Sequence, residues 1–510
     1  MPSRRRSNPP FPDRVCAVVA AGTAAQAMRQ LREACRYTKT IELRFDWLRS
    51  DRERDRLLRA LRRSPPKALL IATCRRILGG GRLPGGAQAE LYWLSQSREA
   101  GCAWCDIEIE TLRELPGQSA RSFPVPQKIL VSFHDFERTP ALPRQLVQAR
   151  RGEADAIKIS ARARTISDSL RLLQIARGSR DIVSVPMGEI GLPARLLALR
   201  DGSALAYAPV AEATAPGQVS LRDFKRLYRA DSITERTEIY GVVGNPVSHT
   251  LSPLMHNTGF IAVKRNAVYL PFLVENLKEF LDAIPKFGLR GFSLTLPHKQ
   301  TIMRYLADCE PMAERIGAVN TVVVGRNGRL SGSNTDYLGV LRALEGRLRL
   351  RDGRVLIFGA GGSARAAAFA LANAGAEVLI CARRDSAARE LARACAAQAI
   401  RRKHLASARF DLIVNATPVG MYPHEGTSPL SRRELNCDLL MDLIYRPLET
   451  RLLRFAAGKG IQVVSGVEMF LAQGCAQWER WTGKSAPESE MRRAVMAKLR
   501  SEETSNRQSR

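Results

Sequence analysis

Short apolar strands alternate with helical stretches through about the first 215 residues, and this alternation constrains the fold more than any other feature. It is typical of βα units, whose consecutive strands lie parallel and are covered by helices. Eight strands in a segment of this length predict a (β/α)8 TIM barrel, in which active groups lie at the carboxyl ends of the strands. The predicted strands are Val15–Ala21, Thr40–Asp46, Leu69–Cys74, Ala103–Ile109, Lys128–Phe136, Ala156–Ser160, Ile182–Gly188 and Leu205–Val210.

Charged or titratable side chains stand near the ends of these strands, and Lys158 is the most informative of them. It lies between apolar residues in Ala154-Asp-Ala-Ile-Lys-Ile-Ser160, which indicates a lysine directed into the barrel mouth. Desolvation and neighbouring cations would favour a free amine there, and a free amine can attack a ketone. His134 lies on the preceding strand, where an imidazole can move protons near neutral pH. For either residue alone, a buried ion-pair lysine or a core histidine is the structural alternative.

Six motifs follow one another along this half of the chain: Glu42-Leu-Arg44, Asp106-Ile-Glu108, Ser132-Phe-His-Asp-Phe136, Ile157-Lys-Ile159, Met187-Gly188 and Ala213-Thr-Ala-Pro-Gly-Gln218. In order and spacing, residues 13–228 resemble the type I 3-dehydroquinate dehydratases. The resemblance implies that Lys158 forms an imine with the substrate ketone. The imine serves as an electron sink while His134 removes the adjacent proton and helps to expel water. The resemblance also implies substrate-binding roles, with Arg195 on the substrate carboxylate, for Glu42, Arg44, Arg75, Arg195, Thr214 and Gln218.

Three positions depart from the pattern of that family. Gly79 stands where an acidic residue that helps to position the histidine is usual. Thr214 replaces a common serine and retains its hydroxyl, and Tyr207 replaces a frequent phenylalanine. The missing acid at residue 79 predicts a slower dehydration.

A glycine turn, Val355-Leu-Ile-Phe-Gly-Ala-Gly-Gly-Ser-Ala-Arg365, occurs only in the second half. An apolar strand enters it and an alanine-rich helix leaves it, which is the arrangement that a dinucleotide pyrophosphate requires. The next strand ends in Arg383 and Arg384, where an NAD enzyme favours an acidic residue, so we expect NADP with its 2′-phosphate at these arginines. A solvated basic pair is the alternative. The residues expected at the pyrophosphate are Gly359, Ala360, Gly361, Gly362, Ser363 and Ala364.

Further motifs of this half are Gly244-Asn-Pro-Val-Ser-His-Thr-Leu-Ser-Pro-Leu-Met-His-Asn257, Gly291-Phe-Ser-Leu-Thr-Leu-Pro-His-Lys299, Gly317-Ala-Val-Asn-Thr-Val322, Gly332-Ser-Asn-Thr-Asp336, Asn415-Ala-Thr-Pro-Val-Gly-Met421, Asp442-Leu-Ile-Tyr445 and Gly466-Val-Glu-Met-Phe470. Lys299 and Asp336 can serve as a proton-transfer pair for a carbonyl that is being reduced. As an ordered set, these motifs resemble shikimate dehydrogenase over residues 237–485. The resemblance implies that Lys299 and Asp336 are catalytic. It implies substrate contacts from Thr250, Ser252, Thr295, Asn320, Tyr445 and Gln473, and cofactor contacts from Asn415, Thr417 and Gly466.

The predicted organisation therefore has six parts. They are a basic disordered tail (1–12), the dehydratase-like barrel (13–228), a linker (229–237), an α/β substrate-binding subdomain (238–340, completed by helices within 466–485), a Rossmann NADP-binding subdomain (341–465) and a charged C-terminal tail (486–510).

The composition limits the partners and the compartment. The formal net charge is +29, but the arginines are spread along the chain with few aromatics between them, so we expect no nucleic-acid partner. No apolar run is long enough to span a bilayer, and ten cysteines without framework spacing suit a reducing compartment, which predicts a cytoplasmic protein without a membrane partner. The apolar run after the basic N-terminus is interpreted as the first barrel strand and not as a signal peptide. The lone pair Cys102 and Cys105 indicates core thiols, and we expect no metal site.

The two halves resemble consecutive steps of one route, in the fused dehydratase–dehydrogenase arrangement known from plants. The resemblance implies small-molecule substrates: 3-dehydroquinate is dehydrated to 3-dehydroshikimate, which is reduced with NADPH to shikimate. One alternative is an enzyme that prefers quinate, because Thr250 stands where serine is usual. Another is a non-catalytic regulator that senses pathway metabolites, which the presence of all four catalytic groups disfavours. Monomer and homodimer both remain open.

Overall fold

The computed structural model of the chain describes residues 10–114, 121, 124–126, 128–151, 153–211, 219–422 and 424–508. The chain divides into two compact units, residues 1–238 with 270–288, and residues 239–269 with 289–510. The division near residue 238 falls at the end of the predicted linker 229–237.

The first unit is built on eight strands, each followed by a helix. The strands are β1 (Val15–Val19), β2 (Thr40–Arg44), β3 (Leu69–Thr73), β4 (Trp104–Glu108), β5 (Lys128–Asp135), β6 (Ala156–Arg162), β7 (Ile182–Met187) and β8 (Ala206–Pro209). The helices are α1 (Ala24–Ala34), α2 (Asp51–Arg63), α3 (Ala87–Glu99), α4 (Ile109–Glu114), α5 (Leu142–Arg151), α6 (Ile166–Ala176), α7 (Leu192–Arg200) and α8 (Leu221–Arg226).

The eight strands form one parallel sheet in the order β7-β6-β5-β4-β3-β2-β1-β8. The two edge strands, β7 and β8, also lie close together. The N–H of Ala204, two residues before β8, donates to the carbonyl of Ile182, the first residue of β7, over 2.8 Å. The sheet is therefore a nearly closed barrel, which confirms the predicted (β/α)8 fold. All eight predicted strands are present. Seven of them end one or two residues earlier than the sequence pattern suggested, and β6 ends two residues later.

Alternate residues of each strand point into the barrel, as the twofold period of a strand requires. On β4 these are Trp104, Asp106 and Glu108. Trp104 belongs to an apolar layer that also contains Cys16, Ile71 and Leu130. The inward residues nearer the carboxyl ends are polar, so the lower barrel is a packed core and the upper barrel is a site.

Phe11 extends this core below the strands. Its side chain is buried and lies 4.6 Å, ring to ring, from Trp104. The folded unit thus includes a residue of the segment 1–12 that we predicted to be a tail, while residues 1–9 lie outside the described part of the chain.

The chain beyond α8 contains two further sheets. Its strands are β9 (Glu238–Gly244), β10 (Ala267–Leu273), β11 (Leu289–Leu294), β12 (Asp308–Cys309), β13 (Thr321–Val324), β14 (Leu330–Ser333), β15 (Arg354–Phe358), β16 (Glu377–Cys381), β17 (Gln398–Ala399), β18 (Phe410–Asn415), β19 (Cys437–Asp442) and β20 (Gln462–Val464). The helices that follow α8 are α9 (Ser252–Ala262), α10 (Leu277–Phe287), α11 (His298–Thr301), α12 (Pro311–Ile316), α13 (Thr335–Leu344), α14 (Gly362–Asn373), α15 (Asp385–Ala394), α16 (Arg451–Ala457), α17 (Gly466–Thr482) and α18 (Glu488–Gln508).

The later of these two sheets is entirely parallel and has the order β17-β16-β15-β18-β19-β20. This is the doubly wound order of a Rossmann fold, in which the chain reverses direction across the sheet between β15 and β18. Ligands bind beyond the carboxyl ends of the strands at that point. The earlier sheet, β10-β9-β11-β13-β14-β12, mixes parallel and antiparallel pairs.

The segment predicted as a charged C-terminal tail, residues 486–510, forms α18 over most of its length. Met491, Val495 and Leu499 are buried, and their spacing of four residues puts them on one face of the helix. Met491 packs beside Gly259 of α9, so the charged residues occupy only the outer side of a docked helix. No helix in the described ranges is both long enough and apolar enough to cross a membrane.

Candidate active sites

A cavity of about 310 Å³ opens at the carboxyl ends of the barrel strands. Six of the residues predicted for the first site line it: Glu42, Arg44, Arg75, His134, Lys158 and Arg195. The other two, Thr214 and Gln218, lie outside the described residues. Side chains that are separated by up to about 150 residues in sequence thus meet in one pocket.

Lys158, on β6, is almost fully buried at the bottom of this cavity. Its ammonium forms an ion pair with Asp106 on β4 and lies 3.3 Å from Oε1 of Glu42 on β2. The nearest charged atoms are therefore carboxylate oxygens and not the cations that we expected from the sequence. The ring of Tyr207 lies against the same ammonium, 4.6 Å from its centroid.

Asp106 connects the lysine to the rest of the site. Its Oδ2 also accepts from Nη2 of Arg75 over 3.1 Å. Burial alone would raise the pKa of Asp106, but the charges of Lys158 and Arg75 outweigh it and lower the pKa. The carboxylate therefore stays ionised while it holds two cations.

His134, on β5, contacts Arg75 through both ring nitrogens, which lie against Nη1 of the guanidinium. Burial, together with the charges of Arg75, Lys158 and Arg44, holds the pKa of His134 well below its usual value. The imidazole is consequently neutral near pH 7, which is the form that can accept a proton.

The other two arginines that the sequence predicted for this site are held by hydrogen bonds within the protein. Arg44 makes a two-point ion pair with Asp46, with distances of 2.8 and 2.7 Å. Arg195, on α7, is buried and donates from Nε and Nη2 to the carbonyl of Pro186 over 3.2 and 3.0 Å. Burial lowers the pKa of Arg195 to about 10, so it remains a cation that has no carboxylate partner among these contacts and can receive a substrate anion.

A second cavity, of about 330 Å³, lies in the second unit. It is lined by all eight residues that the sequence predicted to bind or transform the second substrate: Thr250, Ser252, Thr295, Lys299, Asn320, Asp336, Tyr445 and Gln473. Ser363 of the glycine turn and Gly466 at the start of α17 line the same cavity.

Lys299 and Asp336 form the polar centre of this cavity. Nζ of Lys299 lies 2.6 Å from Oδ2 of Asp336, and the other carboxylate oxygen accepts from Nδ2 of Asn320 over 2.7 Å. Asp336 is the second residue of α13, whose amide donors favour a carboxylate at that end. The pair is partly exposed to the cavity, so it can exchange protons with a bound molecule.

Hydroxyl and amide groups surround the pair. Thr250 donates to Oγ of Ser252 over 3.1 Å just before α9, which places two hydroxyls side by side. Tyr445 stacks on Phe470 at 4.6 Å, and Nε2 of Gln473 donates to the carbonyl of Phe470. Such groups can hold a small polyhydroxylated carboxylate in one orientation.

The glycine turn lies between β15 and α14 and fits a dinucleotide. Gly359 has φ 127°, and a Cβ there would lie 2.9 Å from the carbonyl of Ala416. A Cβ at Gly361 or Gly362, where α14 begins, would have no neighbouring atom within 4 Å. A phosphate can therefore approach the backbone amides at this end of the helix. Ala360, Ser363 and Ala364 complete the turn.

The other predicted cofactor residues lie at neighbouring strand ends. Arg383 and Arg384 follow β16 and are exposed. Asn415, at the end of β18, is fully buried; its amide donates to Asp442, and its carbonyl accepts from the N–H and hydroxyl of Thr417. Asn415 therefore shapes the loop beside the turn through contacts inside the protein.

Sequence reasoning missed several residues that line the cavities or contact the residues lining them. Asp106 and Tyr207 were noted in the chain but not assigned to the first site. The period of two on β4, where the inward Trp104 precedes Asp106 by two positions, is the signal that could have assigned Asp106. In the second cavity His249 and Gln477 were missed, although Gln477 lies one helical turn beyond Gln473.

Together, the fold and the cavities define an α/β enzyme with two sites, one in a (β/α)8 barrel and one beside a Rossmann sheet. Residues 15–235 match the type I 3-dehydroquinase family. Residues 242–322 match the shikimate dehydrogenase substrate binding domain, and residues 466–496 match the shikimate 5'-dehydrogenase C-terminal domain.

Individual proteins are similar to one or both halves. The bifunctional 3-dehydroquinate dehydratase/shikimate dehydrogenase of Arabidopsis thaliana, described as chloroplastic, is 32% identical over 93% of this chain and 83% of its own length. The NADP(+) shikimate dehydrogenase of Bacillus mycoides is 40% identical over 51% of this chain and 99% of its own length. The crystal structure of shikimate 5-dehydrogenase from Thermus thermophilus, with NADP(H) and shikimate, has 38% identity and a TM-score of 0.48 and covers 51% of this chain and 99% of that chain.

The chain belongs to the family of bifunctional 3-dehydroquinate dehydratase/shikimate dehydrogenases.

Near the first site, Glu90 on α3 is a fully buried carboxyl that accepts from the N–H of Glu108 and the hydroxyl of Thr111. Burial and the charge of Glu108 raise the pKa of Glu90 from 4.5 to about 8. The folded carboxyl thus keeps a proton that the unfolded one loses, so stability falls as the pH rises from about 5 to 8. We expect Glu90→Gln to change the free energy of unfolding more favourably at pH 8 than at pH 5.5, with a difference of about 1–3 kcal/mol between the two effects.

Urea unfolding at the two pH values, followed by tryptophan fluorescence, measures this difference. Glu99→Gln, at the exposed end of the same helix, is the matched control and should show no such pH dependence. An equal effect of Glu90→Gln at both pH values would contradict the raised pKa.

Proposed function

We propose that the barrel dehydrates 3-dehydroquinate to 3-dehydroshikimate and that the second unit reduces 3-dehydroshikimate to shikimate with NADPH. One observation carries the proposal: each cavity holds a lysine paired with a carboxylate, Lys158 with Asp106 and Lys299 with Asp336, among groups suited to a polar, anionic substrate. The family membership supports the same two activities of the shikimate pathway.

In the barrel, Lys158 attacks the substrate ketone and water leaves, which gives an imine. His134 then removes a proton from the adjacent carbon, and the electron pair moves into the imine. The hydroxyl on the next carbon leaves as water after it takes that proton from His134, and hydrolysis frees the lysine. The neutral state of His134 supports its role as base, and Arg195 is suited to bind the substrate carboxylate because it is a buried cation. Glu42, Arg44, Arg75, Thr214 and Gln218 are proposed to hold the hydroxyls and the ring.

In the second unit, Thr250 and Ser252 bind the substrate carboxylate, and Thr295, Asn320, Tyr445 and Gln473 hold the rest of the molecule. NADPH held at the glycine turn would supply the hydride that the ketone carbon accepts. Lys299 donates a proton to the carbonyl oxygen, and Asp336 holds the lysine in position over 2.6 Å.

The cofactor is proposed to bind across the glycine turn, with its pyrophosphate at the amide end of α14. Arg383 and Arg384 bind the 2′-phosphate, because neither forms an ion pair with a carboxylate in the described structure and both follow the strand next to the turn. Residues 359–364, Asn415, Thr417 and Gly466 form or support the rest of this site. The Bacillus relatives, described as NADP(+) enzymes, support the choice of NADP.

The boundaries of the barrel and of the second enzyme are proposed as the sequence indicated, 13–228 and 238–485, but extended to Phe11 at the start of the barrel and to α18 at the end of the second enzyme. The partners are small molecules, without nucleic acid or membrane, and the protein is a monomer or homodimer. A cytoplasmic location is supported by ten free cysteines, most of them buried. Cys102 and Cys105 are both buried, and burial raises the pKa of Cys102 to about 12, which supports their role as core thiols.

The two activities should be separable by substitution. Wild-type protein supplied with 3-dehydroquinate and NADPH should consume the reduced cofactor. Lys158→Met should stop this consumption but leave reduction of added 3-dehydroshikimate intact. Lys299→Ala should lower that reduction by a factor of about 10² or more while dehydration continues. Loss of both activities in either variant would contradict two independent sites.

The imine can be trapped directly. Borohydride added with 3-dehydroquinate should attach the substrate carbon skeleton to Lys158, because reduction converts the imine into a stable amine. Peptide mass spectrometry reads the adduct, and Lys158→Met is the control that should remain unmodified. An adduct at another lysine, or none in the active wild type, would rule out Lys158 as the imine residue.

The 2′-phosphate contact predicts a difference between cofactors. Arg383→Ala should weaken NADPH binding by a factor of about 10 or more, because a charge-assisted bond to phosphate is lost, and should leave NADH binding unchanged. Fluorescence titration with each cofactor measures this. Arg389, an exposed arginine on α15, provides the control variant Arg389→Ala. If Arg383→Ala keeps the wild-type preference for NADPH over NADH, Arg383 does not bind the 2′-phosphate and is an ordinary solvated side chain.

A further inference from the structure

Glu108 is a buried carboxylate that the proposed reaction does not use. It is the last residue of β4 and points into the barrel mouth, two positions beyond Asp106. Only 3% of its surface is exposed. Burial, largest among several causes, raises the pKa of Glu108, so its location has a free-energy cost that its contacts must offset.

The carboxylate of Glu108 lies in the space that a side chain at residue 79 would fill. Gly79 ends a short 3-10 turn, Ile77–Gly79, that follows β3. The Cδ and Oε2 atoms of Glu108 both lie 2.5 Å from the position of a Cβ on Gly79. Gly80 has a positive φ, but Gly79 does not, so the backbone at residue 79 would accept any side chain. A side chain at residue 79 would therefore have to displace the carboxylate of Glu108.

From this position Glu108 faces the guanidinium of Arg75. Oε1 of Glu108 lies 3.5 Å from Nη1 of Arg75, and the same nitrogen contacts both ring nitrogens of His134. Nη2 of Arg75 is held separately by Asp106 over 3.1 Å. The guanidinium is therefore fixed at two edges, one by each inward carboxylate of β4, and its Glu108 edge is the one that touches the histidine.

We propose that Glu108 is a positioning residue of the dehydratase site, whose carboxylate occupies the space beside Gly79 and holds Arg75 against His134. The inference rests on the proposed dehydration in the barrel. A guanidinium has only donors, so its contact with the ring needs a ring nitrogen that can accept. By fixing Arg75, Glu108 fixes the orientation of the imidazole that removes the proton. Asp106 holds only Nη2 of the guanidinium, whereas Glu108 lies beside Nη1, the nitrogen that contacts the histidine.

The contacts of the imine lysine do not include Glu108. Lys158 is held by Asp106 and Glu42, so loss of the Glu108 carboxylate should leave imine formation intact and slow only proton removal. Glu108→Gln keeps the shape of the side chain and removes its charge. We expect kcat for dehydration to fall by a factor of about 10 to 10², with KM within about twofold, because misorientation of a catalytic group costs this much. Borohydride trapping on Lys158 should match the wild type.

Glu110→Gln is the matched control, because Glu110 lies two residues further on, at the surface, and should keep full activity. Reduction of 3-dehydroshikimate in the same molecules controls for protein quality. An unchanged kcat in Glu108→Gln would overturn the inference. Loss of trapping together with kcat would also overturn it, because the role would then be structural. If the wild type itself neither traps nor dehydrates, the proposed function fails before the variants are compared.

Relocation of the carboxylate gives a second test. Glu108→Ala should lower kcat, and Gly79→Glu alone should do so as well, because two carboxylates would compete for one space. In the double variant Glu108→Ala with Gly79→Glu, the single carboxylate in that space comes from residue 79, after β3, and not from residue 108 on β4. Its kcat should be at least about tenfold higher than that of Glu108→Ala alone. A double variant no better than Glu108→Ala would overturn the assignment of this position to the carboxylate.

Discussion

The barrel site depends on the mutual compensation of charges that are buried at the strand ends. An isolated charge in such a place is costly, so each one needs a partner of opposite sign or, as for Arg195, a hydrogen-bond acceptor such as the carbonyl of Pro186. Asp106 lies between Lys158 and Arg75 and holds both. Glu42 lies beside the lysine and Glu108 beside the arginine. This alternation of signs keeps the lysine in the cavity, while burial and the neighbouring cations keep the imidazole of His134 neutral.

The second site also contains a lysine–carboxylate pair, but this pair is more exposed to solvent than the pair in the barrel. Lys299 and Asp336 also form an ion pair, but their side chains are 21% and 10% exposed, against 5% and 0% for Lys158 and Asp106. Greater exposure suits a pair that passes a proton to a carbonyl and regains it from solvent. A deeply buried amine suits the proposed covalent attack, because burial limits the access of bulk water to the imine. The two lysines thus differ in surroundings in the way that their proposed chemistries require.

Much of this arrangement follows from local patterns. The apolar neighbours of Lys158 predicted that this lysine points into the barrel, and the glycine turn between an apolar strand and a helix predicted the dinucleotide site. Other features were not predicted. The burial of Phe11 and the docked face of α18 depend on partners far away in the chain. The space between Gly79 and Glu108 is visible only after β3 and β4 lie side by side, because nothing in either segment indicates the other.

The sequence by itself determined which chemical groups stand at the strand ends, because strand period, turn residues and motif order are short-range properties. Only the tertiary structure decided which of these groups are partners. Lys158 meets Asp106 and Glu42 across 52 and 116 residues of chain, and Lys299 meets Asp336 across 37. Coulomb interactions depend on distance in space and on the loss of water, and both are set by the closure of the sheets.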